Sequence, residues 1–340
     1  MGKQESSTSR RVWAAIVLVG AVAAGVATAI QQVLTVRDRR RYRAPGVLVD
    51  VQGGQMHLLV SGAGADAPAV VLEAGMGSFS PNWYWVQREL PDIRTVAYDR
   101  PGLGWSEPTQ RTRDARTIAQ DLLQALTAAG IEPPYVLAGH SFGGLPVRAF
   151  ADLYPELTAG LVLVDASHPD QWARWPVPYA DRILAASQRL LGALAWFGVL
   201  RAIDASRAIS HGLPTEQAAQ LRAAAALPRF AAAEAAQTRA WATSRNQVNG
   251  AAPLGKLPLT VLAVTDQPVG GDLLTALQLE LAELTDDARF EVVEGAGHES
   301  LVSDREHART VAAAIRSVVQ TARDAQSSRL STPSPELSGS

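Results

Sequence analysis

Residues 135–144 have the sequence YVLAGHSFGG, in which Ser141 stands between two glycines directly after an apolar run. This order predicts a strand that turns sharply into a helix at the serine, so that the hydroxyl group is exposed while Gly139 and Gly143 relieve backbone clashes. Pro146 is compatible with the helix because it falls in the first turn. The competing interpretation is a serine that only caps the helix, and the candidate partners of Ser141 elsewhere in the chain weigh against it.

A serine hydroxyl is a weak nucleophile until a base removes its proton. Catalysis therefore needs a histidine, a carboxylate that orients it, and hydrogen-bond donors for the oxyanion. His298 is the candidate base, because the sequence GAGHES places it on a glycine-flanked loop directly after the apolar run FEVV. The other histidines are expected to be structural or surface residues: His57, His140, His168, His211 and His307.

Two aspartates are candidates for the acid that orients His298. Asp165 follows the apolar run LVLV, and Asp266 closes the run that begins at Leu259. Either carboxylate could emerge at the carboxyl edge of a sheet and stabilise the imidazolium. Asp165 is preferred and Asp266 is the alternative; the one that is not used would be a solvated loop carboxylate or a helix N-cap.

Backbone N–H groups are the preferred donors for the oxyanion, because they are fixed before the reaction begins. The turn at Ser141 supplies the N–H group of Phe142. The second donor is expected from the loop EAGMGS, where Gly75 and Gly77 let the backbone bend and Met76 presents its N–H group. The glycines could instead mark only a tight turn.

Further apolar runs, separated by helical patterns, predict a mostly parallel sheet covered on both faces. The runs are 69–72, 95–98, 135–138, 161–164, 259–264 and 290–293. Gly46 to Val60 alternates apolar and polar residues around Gly53-Gly54, which predicts a β-hairpin. An apolar stripe from Ile118 to Ala129 predicts one of the connecting helices, which ends before Gly130.

The strand pattern stops between residues 167 and 255, where alanine-rich sequence predicts a helical insertion. Its aromatic residues could line a substrate cavity or pack the insertion's own core: Trp172, Trp175, Trp196, Phe197, Phe230 and Trp241. Four prolines should divide the insertion into separate helices: Pro176, Pro178, Pro214 and Pro228. A last helix is expected over 304–323, and a disordered tail over 324–340.

The N-terminal segment 1–45 contains nineteen uncharged residues, Val12 to Ile30, followed by a basic linker. A run of about 20 apolar residues can cross a bilayer as a helix, and we interpret the segment as an uncleaved single-pass membrane anchor. The alternative is a signal peptide with the cleavage site Ala27-Thr28-Ala29, which would release a secreted protein. Three basic residues precede the span and five follow it, and this balance leaves the side of the membrane open.

Composition excludes several other classes of protein. The formal net charge of the 340 residues is −2, which gives no basic face for nucleic acid. The absence of cysteine rules out disulfides, thiolate nucleophiles and cysteine-based metal sites. Because the chain also lacks an H-E-x-x-H motif, a P-loop and a dinucleotide fingerprint, we expect neither a metal nor an organic cofactor.

With these motifs in the order EAGMGS, YDRPGLGWS, GHSFGG and GAGHES, the chain resembles the α/β-hydrolase superfamily over about residues 46–322. The resemblance implies an eight-stranded, mostly parallel sheet with a cap inserted after strand six. The core would be 46–166 and 256–323, and the cap 167–255. Ser141 and His298 match the family's nucleophile and base.

The sequence departs from the family's pattern at two places. Ala74-Gly75 replaces the usual His-Gly of the oxyanion loop, which keeps the backbone donor but removes a supporting side chain. Gln267 occupies the position where the loop after the seventh strand usually carries its acid. Some members of the family take the acid from the end of strand six, where Asp165 stands.

These features predict a serine hydrolase that cleaves a carboxylic ester, thioester or lactone of an apolar acyl group through an acyl-enzyme. A serine at position 141 argues against dehalogenase or epoxide-hydrolase chemistry, in which a carboxylate attacks. The alternatives are a membrane-tethered binding protein without turnover, a carbon–carbon bond hydrolase, a peptidase, and a cofactor-free oxidative enzyme that uses the same triad. The fold by itself does not distinguish them.

Overall fold

The computed structural model describes residues 2–64, 68–175, 177, 179–266 and 270–331. Its centre is an eight-stranded sheet with the order β1-β2-β4-β3-β5-β6-β7-β8, in which β2 is antiparallel to both of its neighbours, β1 and β4, and all other neighbouring pairs are parallel. The strands are β1 (Val47–Val51), β2 (Gly54–Ser61), β3 (Ala69–Glu73), β4 (Thr95–Tyr98), β5 (Tyr135–His140), β6 (Thr158–Val164), β7 (Leu259–Asp266) and β8 (Arg289–Gly297). The predicted hairpin and all six predicted runs are confirmed as strands.

The sheet is apolar on both faces, because helices cover each of them. Val71 and Leu137 belong to a cluster on one face, and Val70 and Val136 belong to a cluster on the other. Successive residues of a strand point to opposite faces, so a strand that is buried on both sides needs continuous apolar sequence. This explains why the runs in the sequence do not alternate between apolar and polar residues.

Some helices flank the sheet, and others make up the segment between β6 and β7. Those outside that segment are α1 (Gly2–Arg41), α2 (Tyr84–Glu89), α3 (Ala115–Ala128), α4 (Gly144–Leu153), α12 (Gly271–Ala282), α13 (Ser300–Ser303) and α14 (Arg305–Ser331). Those between β6 and β7 are α5 (Gln171–Arg174), α6 (Ala180–Ala195), α7 (Val199–Ala202), α8 (Arg207–Ser210), α9 (Thr215–Ala225), α10 (Pro228–Arg239) and α11 (Trp241–Asn249). Short 3₁₀ turns occupy Ser80–Trp83, Ser141–Gly143 and Pro155–Leu157.

Helix α3 shows how local sequence fixes an element. Asp114 caps it by accepting a hydrogen bond from the backbone N–H group of Thr117, at 3.1 Å. Its apolar stripe, including Ile118 and Leu122, is buried against the sheet. The helix ends where Gly130 adopts a left-handed φ of 65°, as the glycine signal predicts.

We call the chain between β6 and β7 the insertion. Pro214 immediately precedes α9, and Pro228 begins α10, so both separate helices as expected. Pro176 and Pro178 lie outside the described residues. The aromatic residues divide between two environments. Phe230 is buried with Phe79 and Leu103 of the core, whereas two others are exposed to solvent: Trp196 and Phe197.

The two terminal helices are longer than the sequence suggests. In length and composition, residues 9–41 of α1 could cross a membrane. Helix α14 extends to Ser331 instead of ending at Arg323, because residues beyond Arg323 still favour a helix and Gln320 donates a hydrogen bond to Asp324 one turn later. The part of the predicted tail after residue 331 lies outside the described residues.

Candidate active site

Ser141 lies at a tight turn between β5 and α4 and has a left-handed φ of 53°. This conformation is costly for a residue with a side chain, and it lifts the hydroxyl group above the sheet. The flanking glycines are required by close contacts. A Cβ atom on Gly139 would lie 2.6 Å from the carbonyl oxygen of Gly143, and one on Gly143 would lie 2.5 Å from that of Glu73.

His298 follows β8 and joins Ser141 to Asp165. Its Nε2 atom is 2.8 Å from Oγ of Ser141, and its Nδ1 atom is 2.5 Å from Oδ2 of Asp165. Asp165 is buried at the end of β6, next to β5 in the sheet. The three side chains therefore meet at the carboxyl ends of parallel strands, where ligands bind in open α/β sheets.

The alternative acid, Asp266, is the last residue of β7, and its Cα atom lies opposite that of Gly297 in β8. The side chain of Asp266 lies outside the described residues, whereas Asp165 accepts a hydrogen bond from Nδ1 of His298.

Two opposing effects act on the charge of His298. Burial alone would lower the pKa of its imidazole. The hydrogen bond that Nδ1 donates to Asp165 and the negative charges of Asp165 and Glu299 outweigh burial and raise the pKa above its ordinary value. Because Oδ2 of Asp165 accepts a hydrogen bond from the Nδ1–H group, the neutral ring leaves its Nε2 lone pair directed at Ser141.

His140 contacts His298 through its ring and through a hydrogen bond. Its ring lies 4.7 Å from that of His298, and its Nε2 atom donates a hydrogen bond to the backbone oxygen of His298, at 2.9 Å. Burial, together with the neighbouring His298, lowers the pKa of His140 to about 3, so the ring is neutral at physiological pH. A neutral neighbour holds the ring of His298 in place without repelling it when that ring is protonated.

The loop after β3 carries Met76 and packs directly against Ser141. A Cβ atom on Gly75 would lie 3.1 Å from Cβ of Ser141. The buried guanidinium of Arg100 holds the loop by donating hydrogen bonds to the backbone oxygens of Ala74 and Gly75 and to the carboxylate of Glu73. The loop carbonyls are thus turned toward Arg100, which favours N–H groups directed toward the nucleophile.

Two buried carboxylic acids accompany this loop. Burial raises the pKa of Glu73 to about 7, against the opposing effect of Arg100. Burial also raises the pKa of Glu234, in α10, to about 7, again against Arg100. Glu234 packs on Gly77, where a Cβ atom would lie 2.5 Å from its Oε1 atom. Perturbed acids of this kind are common around functional sites.

The insertion contacts the candidate oxyanion residues directly. Gln188 of α6 and Thr238 of α10 donate hydrogen bonds to the sulfur of Met76, at 3.6 and 3.4 Å. The ring of Phe142 lies 6.1 Å from that of Trp241. The sequence indicates Trp241 as a candidate cavity residue, but Gln188, Thr238 and Glu234 lie in alanine-rich helices and carry no motif that could identify them.

The site is built for acid–base and nucleophilic chemistry by side chains. Among the residues that the structure describes, no group of three histidines or carboxylates is arranged to hold a metal ion. The arrangement can remove a proton from a hydroxyl group, hold the resulting imidazolium beside a carboxylate, and offer backbone donors to an oxyanion.

Comparison with known proteins places these features in a wider group. A family model described as "Alpha/beta hydrolase family" matches residues 57–314. The chain is 30% identical over 256 residues to the putative carbamate hydrolase RutD of Escherichia coli O103:H2, and the match covers 71% of this chain and 88% of RutD. For several other curated relatives the match covers only 14% to 48% of the relative's length.

Solved structures share the fold at low sequence identity. The Cif epoxide hydrolase from Acinetobacter nosocomialis superposes with a TM-score of 0.67 and 17% identity, covering 85% of this chain and 96% of that one. A thermophilic esterase from Thermogutta terrifontis gives a TM-score of 0.60 and 20% identity, with coverage of 81% and 98%. At such identities the likeness shows the fold alone, because one fold hosts many reactions.

Proposed function

The chain belongs to the alpha/beta hydrolase family, and we propose that it is a serine hydrolase that cleaves a carboxylic ester, thioester or lactone through an acyl-enzyme on Ser141. One observation carries the proposal: a single imidazole, that of His298, is within hydrogen-bond distance of both a strained serine hydroxyl and a buried carboxylate. This geometry meets the requirements of nucleophilic catalysis by serine.

In the first half of the reaction, Nε2 of His298 takes the proton of Ser141 as Oγ attacks the carbonyl carbon. The carbonyl oxygen becomes an oxyanion, which the backbone N–H groups of Met76 and Phe142 stabilise. When the tetrahedral intermediate collapses, the bond to the leaving oxygen or sulfur breaks, and Nε2 of His298 returns the proton to it. Asp165 stabilises the imidazolium throughout.

In the second half, His298 takes a proton from water, and the hydroxide attacks the acyl carbon. The same donors hold the second oxyanion. Its collapse breaks the bond to Oγ, and His298 returns the proton to Ser141 while the carboxylic acid leaves. The serine, the histidine and the aspartate end in their initial states, so no cofactor takes part.

The identity of residue 141 favours acyl transfer over the chemistry of the epoxide hydrolases that share the fold. A carboxylate that opens an epoxide forms an ester, which water can then cleave. A serine that did so would form an ether, which is inert to water under the same conditions. A carbonyl substrate is therefore the better match for Ser141.

A carbamate is a second candidate substrate, because it presents the same type of carbonyl group and because of the likeness to RutD. Its carbonyl carbon is less electrophilic than that of an ester, since the nitrogen donates electron density to it. The serine mechanism is otherwise unchanged, and competition between a carbamate and an ester for Ser141 tests the preference.

We also propose that α1 anchors the chain in a membrane and that residues 167–255 form a cap over the core, 46–166 and 256–323. The apolar part of α1 is exposed, and it is nearly long enough to span the hydrocarbon core of a bilayer. A secreted form cleaved after Ala29 is the alternative. Retention in the membrane pellet after alkaline carbonate washing, with an intact N-terminus by mass spectrometry, is the expected result.

Labelling with a fluorophosphonate tests the central proposal. The reagent should modify Ser141 in the folded chain, and Ser141→Ala should abolish both labelling and hydrolysis of p-nitrophenyl esters. Asp266→Asn serves as a matched control that should keep both. A folded chain that the reagent does not modify, and that hydrolyses no ester from acetyl to palmitoyl, would instead support a binding protein without turnover.

A further inference from the structure

Helix α6 has an unusual distribution of polar and apolar side chains. Gln188 is only 9% exposed, whereas Leu190, on the same helix, is 61% exposed. Ile183, Leu190 and Phe197 are seven residues apart, so they lie along one side of the helix and its continuation. A helix of a water-soluble domain would normally turn that side inward. Here the opposite side packs against α10 instead.

Six large apolar side chains within residues 183–203 are exposed, and we call them together the α6 surface. They are Ile183, Leu190, Leu191, Trp196, Phe197 and Ile203. Exposed apolar residues that are clustered rather than scattered singly usually mark an interaction site.

The α6 surface is continuous with the part of the chain that is proposed to cross the membrane. Arg201 donates a hydrogen bond to Gln31 of α1, at 3.2 Å, and forms an ion pair with Asp38, at 2.7 Å. Gln31 is buried and donates a hydrogen bond to the backbone oxygen of Ala226, at 2.8 Å. The insertion is thus fixed to α1 at the first residue after the apolar span.

The position along α1 sets the depth of this contact. The nineteen residues from Val12 to Ile30 rise about 28 Å at ~1.5 Å per residue, which nearly equals a hydrocarbon core of ~30 Å. Gln31 then lies at the boundary between hydrocarbon and headgroups. Trp196 and the arginines that follow the span are residue types that favour this boundary and anionic headgroups.

A cavity of about 570 Å³ opens between α1, α6 and α10. Residues from all three elements line it, among them Thr35, Arg39, Gln188, Trp196, Ala231 and Arg239. Ser141 is not one of its lining residues, but Gln188 connects it to the site by donating a hydrogen bond to the sulfur of Met76. The cavity therefore lies between the proposed level of the headgroups and Gln188, the lining residue that contacts the oxyanion loop.

We propose that the α6 surface lies in the interfacial layer of the bilayer that α1 spans, and that an acyl lipid enters this cavity from the membrane to reach Ser141. The inference rests on the proposed function, because it names the source of the acyl substrate. The occupant of the surface is lipid, since the surface adjoins α1 at the membrane boundary and carries apolar residues with arginines beside them.

Depth measurements on the full chain test the surface without reference to catalysis. The chain has no cysteine, so single nitroxide labels can be placed at Leu190→Cys and Ile203→Cys. Leu279→Cys, an exposed leucine of α12, is the matched control, and Val22→Cys reports insertion of α1. The chain is reconstituted in vesicles of phosphatidylcholine with phosphatidylglycerol.

Labels at 190, 203 and 22 should be more accessible to oxygen than to a water-soluble nickel chelate, and the label at 279 should show the reverse. The inference is overturned if 190 and 203 respond to the nickel chelate as 279 does while 22 is in lipid. Protection of 190 and 203 from both reagents would also overturn it, because that result means contact with a second copy or another protein.

Kinetics test the route of the substrate. Ile183→Ser combined with Leu190→Ser should lower kcat/KM for a long-chain ester embedded in the vesicles by roughly tenfold, since two apolar side chains no longer partition into lipid. Hydrolysis of soluble p-nitrophenyl acetate should not change, and Leu279→Ser should affect neither substrate. If the double variant and the unaltered chain hydrolyse the embedded ester at equal rates, the proposed route of the substrate is overturned.

If no ester is cleaved at all, the proposed function fails, while the nitroxide depths still decide the position of the surface.

Discussion

In the proposed mechanism the chemistry depends on His298, because its imidazole must be neutral to accept a proton and positively charged to return it. Asp165 favours the charged form and burial favours the neutral form, and the effect of Asp165 prevails. The raised pKa means that the base becomes active only as the pH rises above the ordinary value for histidine, about 6.5.

The pH dependence of kcat/KM should therefore rise with a midpoint above ~6.5. In Asp165→Asn the anion is lost and burial prevails, so the midpoint should shift to lower pH and kcat should fall by about 10³- to 10⁴-fold. Rates with p-nitrophenyl acetate from about pH 5 to about pH 9 measure both effects. Asp266→Asn is the control. A collapse of kcat in that variant alone would mean that Asp165 is not the catalytic acid.

At the scale of single residues, the sequence predicts the candidate nucleophile and base better than it predicts the residues that contact them. Ser141 and His298 could be found because each stands among glycines directly after an apolar run. Two aspartates satisfied the same pattern, so the sequence could not separate them. The role of Arg100 was also out of reach, because its contacts with Ala74 and Gly75 depend on how two loops meet in space.

Two elements meet at the nucleophile: the turn after β5 and the loop after β3. Their contact is a backbone contact, since a Cβ atom on Gly143 would lie 2.5 Å from the oxygen of Glu73 and 2.9 Å from that of Ala74. The position of the Met76 N–H group relative to Ser141 consequently depends on the lack of a side chain at residue 143.

Gly143→Ala should push the loop away from the turn. We expect a fall in kcat of about 10²-fold, comparable with the loss of one oxyanion donor, and little change in KM for a short soluble ester. Gly130→Ala is the control, because it has a left-handed φ of 65° but nothing within 4 Å of the added atom. It should cost about 1 kcal/mol of stability by thermal denaturation and leave kcat unchanged. Equal kcat in the two variants would contradict this account of the loop.

Strands were predictable from the sequence because burial on both faces demands unbroken apolar residues, as in Thr95–Tyr98. The carboxyl ends of the strands were harder to predict, since β5 and β7 end in the polar residues His140 and Asp266. The sequence predicts that the insertion is helical, but it does not predict how the helices of the insertion are oriented against the core. Exposed residues such as Leu190 follow a helical period without indicating whether protein, water or lipid covers them.

On the scale of the whole molecule, α1 is part of the folded structure as well as a candidate anchor. Gln31 and Thr35 are buried, one turn apart, on the side of α1 that faces the insertion. This docking would fix the height of the site above the membrane. The sequence could not reveal it, because the apolar span and the insertion are more than 130 residues apart along the chain.

A disulfide tests this docking directly. A Cβ atom on Gly198 would lie 3.7 Å from Cβ of Gln31, which is within the range that disulfides require. Gln31→Cys combined with Gly198→Cys should cross-link under mild oxidation in the full chain, and a protease cut between the two residues should then leave one band on a non-reducing gel. The native chain has no cysteine to compete.

The control is Gln32→Cys with Gly198→Cys, in which the first cysteine moves to the adjacent, exposed position of α1. Successive residues of a helix point about 100° apart, so this pair should not cross-link at a comparable rate. Similar rates for both pairs would mean that α1 rotates or detaches from the insertion. If only the pair at residue 31 reacts, the docked state is the dominant one, and the oxidised chain should hydrolyse an ester embedded in vesicles as fast as the reduced chain does.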